Sequence, residues 1–121
     1  AIEALNGSKN FILERTKSFK ERRDIVVDML NRVPGIQCMK PDGAFYVYPR
    51  CKDLIGKSSP AGFKITTSED FANHLLIEGR VAVVHGGAFG LDPFFRVSYA
   101  TSTAQLIEAC KRIENAVASL E

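Results

Sequence analysis

The chain has 121 residues, the size of one domain, with 45% apolar and 25% charged residues. Sixteen basic residues against 14 acidic ones leave a formal charge of +2, too weak a field to point to nucleic acid as partner. No apolar run nears the ~18 residues needed to cross a bilayer, and no charged-then-apolar leader opens the chain, so a membrane partner is not expected either. The three cysteines, Cys38, Cys51 and Cys110, are odd in number and far apart. They form neither a disulfide framework nor a metal-ligand spacing, and they suit a reducing, cytoplasmic compartment.

Ala1–Leu5 is apolar enough for a short helix, interrupted at Asn6-Gly7. Ser8 can cap a long second helix reaching about Arg32. Its apolar stripe of Phe11, Phe19, Val26, Leu30 and Val33 keeps to one face of a 3.6-residue period. Pro34-Gly35 ends it. Ile36–Met39 and Ala44–Tyr48 then flank Pro41-Asp42-Gly43, which predicts a hairpin. Residues 49–64 lose all periodicity and are expected to form a long surface loop. Thr67, with Asp70 three positions on, should cap a helix that buries Phe71, Leu75 and Leu76 and closes at Gly79.

Val81–Val84 is a short apolar, β-branched run and predicts a buried strand. A glycine-rich connection over 85–93 leads to Phe94–Tyr99, which alternates. Phe95, Val97 and Tyr99 share one face there, and Arg96 and Ser98 the other. Ser102 with Gln105 reads as a capping box for the last helix, whose stripe is Leu106, Cys110, Ile113, Val117 and Leu120. The expected fold class is α+β: one two-layer domain over residues 1–121, its short, partly antiparallel sheet covered by helices.

Two glycine-rich segments invite phosphate-binding readings, and neither survives its context. Gly56-Lys57-Ser58 lacks the upstream glycine of a phosphate loop, since Cys51 holds that position. Gly86-Gly87-Ala88-Phe89-Gly90 follows a strand but leads to another strand, with no helix N-terminus to hold a pyrophosphate. His74 lies mid-helix and is expected to face water, whereas His85 stands at the mouth of the glycine loop, where it could edge a site. Cys110 belongs to an apolar stripe. Tyr46, Tyr48 and Tyr99 default to sheet packing.

Arg96 stands apart. A guanidinium does not lose its proton, so one inside an apolar strand needs an anion or water. Its fork fits a carboxylate or phosphate bidentately. Read from the residues alone, an internal ion pair or an edge position in water weighs more than an external ligand.

Taken together, Pro41-Asp42-Gly43-Ala44-Phe45-Tyr46-Val47-Tyr48-Pro49, Val81–Gly90 and Phe95-Arg96-Val97-Ser98-Tyr99-Ala100-Thr101-Ser102 resemble the C-terminal part of class I pyridoxal-phosphate aminotransferases. Bacterial aspartate aminotransferases of the Ib type are the most similar subgroup. The likeness covers the whole chain in order. It implies that the chain is the small domain of a larger enzyme, with residues 1–33 connecting to the large domain. It also implies that Arg96 binds the substrate α-carboxylate, and that Phe89 and Gly87 line or border the pocket. No lysine here sits in the family's Schiff-base motif. The resemblance therefore implies that no catalytic residue and no metal ligand lies in this chain, that pyridoxal 5'-phosphate is held by the parent, and that the 121 residues alone bind none and are inactive. The implied partners are an amino acid or 2-oxo acid, the large domain and, in the parent, a second subunit. The implied reaction transfers an amino group from L-aspartate to 2-oxoglutarate. Prephenate or aromatic substrates, or a free-standing carboxylate-binding module, are the alternatives.

Overall fold

A computed structural model describes residues 1–121. Helices α1 (Ile2–Asn6), α2 (Asn10–Asn31), α3 (Ser68–Ile77) and α4 (Thr103–Ala118) accompany strands β1 (Tyr46–Val47), β2 (Val84–His85) and β3 (Phe95–Ser98). The three strands form one antiparallel sheet in the order β1-β3-β2. The fold is small and α+β, as the element order predicts.

The long helix forms where expected, and Ser8 Oγ accepts from the Asn10 amide at its start. Its apolar stripe is buried only at the C-terminal end, however. Val26 and Leu30 are fully covered, Phe19 is half-buried and Phe11 is 53% exposed. The reason is partnership. α4 packs against α2, and the whole stretch from Ser8 to Lys17 is exposed. Beyond the helix, Gly35 takes φ +87°, and a Cβ there would lie 2.6 Å from Leu54 Cδ2, so the turn requires glycine.

The predicted hairpin does not form. Residues 36–39 never pair along 44–48, and only the Gln37–Arg50 bridge joins the two segments. The backbone groups that a hairpin would use are already taken. Asn31 binds both the amide and the carbonyl of Cys38 through its side chain, at 2.8 Å each. Tyr99 claims the other segment, its amide donating to Phe45 O and its hydroxyl to Ala44 O. β1 thereby pairs with β3, with Tyr46 opposite Ser98 and Val47 opposite Val97.

Residues 49–64 are not a free surface loop. Cys51, Leu54 and Ser59 are buried, and Ser58 and Glu121 exchange backbone hydrogen bonds. The expected strand over 81–84 shortens to Val84–His85, because the Val81 amide still donates back to Leu75 O.

The Thr67–Asp70 capping box on α3 is complete. Phe71 and Leu75 are buried as expected, but Leu76 is 54% exposed and His74 is not. Position 76 lies about 100° round the helix from 75. His74 points inward instead, with Nε2 3.0 Å from Ala116 O on α4, which satisfies its buried polarity. On α4, Ser102 Oγ accepts from the Gln105 amide, while Gln105 Oε1 accepts from the Thr101 hydroxyl, so the box is half made. Every residue of the α4 stripe is buried. A single 21-residue core joins that stripe to Val26, Leu30, Phe71 and the inner face of β3.

Candidate functional site

β3 is the central strand, and its period-2 alternation divides it sharply. Phe95, Val97 and Tyr99 are 0%, 7% and 2% exposed, whereas Ser98 is exposed and Arg96 only half-buried. Arg96 is thus carried on the outer face, in register with Val84 of β2.

Two rings hold its guanidinium. Arg96 Cζ lies 4.4 Å from the centroid of Tyr46 and 4.3 Å from that of Phe89. Phe89 meets Tyr48 edge-on at 6.3 Å and 90°. Arg96 takes part in none of the chain's ion pairs, which join Arg23 and Lys40 to Asp24, Arg32 to Asp28, and Arg112 to Glu108. Of the two readings that composition favoured, the internal ion pair is absent and a partly solvated position remains. What the fold presents is a half-buried cation against two rings, with no acid of its own. Such a fork is suited to a planar anion.

The glycine segment sets Phe89 in place. Gly86 to Phe89 form a 3₁₀ turn closed by Gly90 in the left-handed region at φ +71°. Gly86 is buried where its amide donates to Phe94 O and its carbonyl accepts from Leu91. A Cβ on Gly86 would lie 1.8 Å from Leu91 O and 2.5 Å from Phe94 O. No side chain fits there. The tight return lets a turn immediately before β3 fold back over Arg96. Asp92 Oδ1 ties the same connection to α3 by accepting from the Ser68 amide.

Of the residues singled out by sequence, the structure brings Arg96 and Phe89 together. Gly87 lies in the same turn as Phe89 and is exposed, and a Cβ there would lie 3.1 Å from His85 Nδ1. His85 pairs with Phe95 in register and so borders the turn. The sequence reading assigned Tyr46 to packing and missed it. The signal was present in its alternation: Val47 points to the core, so Tyr46 must share the outer face with Arg96.

The buried cysteines offer no nucleophile. Burial pushes the thiols of Cys38 and Cys51 up to about 12 and that of Cys110 up to about 11. No three His, Cys, Asp or Glu side chains gather as metal ligands. Cavities of about 820 and 610 Å³ beside α4 are lined by neither Arg96 nor Phe89. The Arg96 corner lies apart from both cavities.

Comparison with known proteins identifies the family. The family model for class I and II aminotransferases matches residues 1–113. A probable aspartate/prephenate aminotransferase of Rhizobium leguminosarum bv. phaseoli is 61% identical over 94% of the chain, which covers 28% of that protein. The aspartate/prephenate aminotransferase of Cereibacter sphaeroides is 52% identical over 99% of the chain and 30% of its own length. Among solved structures, the aspartate aminotransferase of Rhizobium meliloti superposes with TM-score 0.96 at 51% identity, over 99% of this chain and 30% of that one. An alanine aminotransferase from Pyrococcus furiosus gives 0.84 at 32% identity, over 97% and 28%. The chain spans under a third of the length of each.

Proposed function

The chain belongs to the class I and II aminotransferase family, and from that premise we propose that it is the substrate-clamping small domain of an aspartate aminotransferase. Arg96 binds the α-carboxylate of the incoming amino acid. The observation that carries this reading is the guanidinium held between two rings with no acidic partner. A bidentate carboxylate accepts two parallel N–H bonds from one edge of the fork and neutralises the charge. Fixing the carboxylate at one end also fixes the direction of the Cα–H bond, which is an orientation role.

The parent enzyme transfers the amino group of L-aspartate to 2-oxoglutarate. Acceptance of prephenate is a second reading, supported by the names of the relatives at 61% and 52% identity. Pyridoxal 5'-phosphate is the cofactor that the family implies. We assign its cradle to residues outside this chain, because no lysine here stands in the family's Schiff-base motif. The cofactor is therefore held by the large domain of the parent, and the 121 residues alone have no transaminase activity.

Residues 1–33 form the connection to that large domain. The exposed apolar side chains of Ile2, Leu5, Ile12 and Leu13 support this, as a face that a covering partner would bury. The parent is a cytoplasmic homodimer, consistent with three buried, unpaired cysteines in this chain.

The test is kinetic. In the full-length enzyme Arg96→Lys keeps the charge and loses the fork, and KM for aspartate should rise by about tenfold or more. An unchanged KM and kcat contradict the assignment. Amino transfer by the purified 121-residue chain supplied with pyridoxal phosphate contradicts the division of labour.

A further inference from the structure

Tyr46 and Phe89 are unusual residues to find where they are. Both are large aromatics, 37% and 48% exposed, on the side of the sheet that faces away from the core. Three separate elements deliver them to one atom group. Tyr46 comes from β1, Phe89 from the turn before β3, and Arg96 from β3 itself. The two rings lie 4.4 and 4.3 Å from Arg96 Cζ, within the range in which a cation is attracted to a ring quadrupole.

An arginine side chain has four soft torsions and correspondingly large rotamer entropy to lose on binding. A surface arginine with no acid partner would ordinarily sample many rotamers. Here one ring would restrain it weakly, whereas two rings confine the guanidinium and leave its N–H edges free. Tyr48 in turn buttresses Phe89 edge-on. The backbone supports the arrangement, because Gly86 is the residue that permits the tight return carrying Phe89.

We infer that Tyr46 and Phe89 are positioning residues for carboxylate recognition: their rings pre-organise the Arg96 fork, so that binding a substrate carboxylate costs little side-chain entropy. This rests on the assignment of the α-carboxylate to Arg96. The two rings act through Arg96. Recognition is then a property of the assembled 86–90 turn as well as of the arginine.

The experiment uses the full-length enzyme and steady-state kinetics with aspartate. Tyr46→Leu and Phe89→Leu should each raise KM about 3- to 30-fold, the range expected for one cation–ring contact, with kcat changed less. Tyr46→Phe and Phe89→Tyr keep the rings and should hold KM within about twofold, since stacking and not the hydroxyl acts on Arg96. Arg96→Leu, measured alongside, separates the two claims. If Arg96→Leu leaves KM intact, the carboxylate assignment fails. If Arg96→Leu raises KM and the leucine variants at 46 and 89 do not, the positioning role fails while the assignment stands.

Should the leucine variants misfold, stepwise fluorination of the Phe89 ring replaces them. Fluorines drain the negative ring face while keeping its shape, so KM should climb with each fluorine added. A flat series overturns the inference, because a merely packed ring would not register the change.

Discussion

The two faces of β3 answer to different physical demands, although they are built from alternate residues of the same four-residue strand. On the inner face Phe95 and Val97 meet Phe71, Leu106 and the rest of a 21-residue core, with the Phe71 and Phe95 rings 5.2 Å apart. On the outer face Arg96 is surrounded by half-exposed rings and has no counter-charge. Dense packing makes the inner face sensitive to volume. The outer face is sensitive to charge and direction instead. A strand can therefore hold a functional cation rigidly because the residues on either side of it are anchored in the core.

The contrast can be broken by substitution. Phe95→Ala should cost the most, about 3–5 kcal/mol in urea unfolding of the chain, as a large side chain leaves a cavity. A loss under about 1 kcal/mol would mean that the inner face is not the anchor. Tyr99→Phe removes the hydroxyl that donates to Ala44 O at 2.7 Å, and should cost about 1–2 kcal/mol. Arg96→Leu should change stability by less than about 1 kcal/mol, for the outer face contributes contacts to a ligand more than to the fold. A larger loss would erase the distinction between the faces.

The smallest effect sits off both faces, at the α3 cap, and sharpens the comparison by showing what a purely local interaction does. Hydrogen bonds from the Thr66 side chain and backbone, with further ones from Thr67, hold the Asp70 carboxyl below its ordinary value. Its folded pKa is depressed, so its contribution is present above the unfolded value of about 3.9 and is lost as pH falls through the lower folded value. Asp70→Asn should therefore lower the neutral plateau slightly and flatten the acid side of the pH–stability profile, so that the two proteins converge at low pH. An identical acid limb in both proteins would show that the cap titrates nothing.

Local chemistry made much of this legible in advance. The capping residues Thr67 and Asp70, the alternation over 94–99 and the α4 stripe all depend on neighbours within four residues, and all formed as read. Most of the failures were decided by a partner outside the segment's own local pattern. The 36–48 hairpin was undone by Asn31 and Tyr99, which bind its backbone from elsewhere. His74 was expected in water, and the Ala116 carbonyl that receives it lies 42 residues away. The stripe on α2 was correct in period but blind to where α4 would stop covering it. At the site, Arg96 was visible as an anomaly and Phe89 by resemblance. Tyr46 escaped because its alternation with Val47 gives its face, while its place beside Arg96 depends on the pairing of β1 with β3.

The central claim is that the outer face of β3 is a carboxylate receptor. Calorimetric titration of a dicarboxylate substrate analogue into the full-length enzyme and into Arg96→Leu tests it most directly. The account predicts binding to the parent and a loss of about a hundredfold or more in the variant, the expected penalty for removing one partner of a desolvated charge pair. Equal affinities in the two proteins would contradict it and place the substrate carboxylate elsewhere.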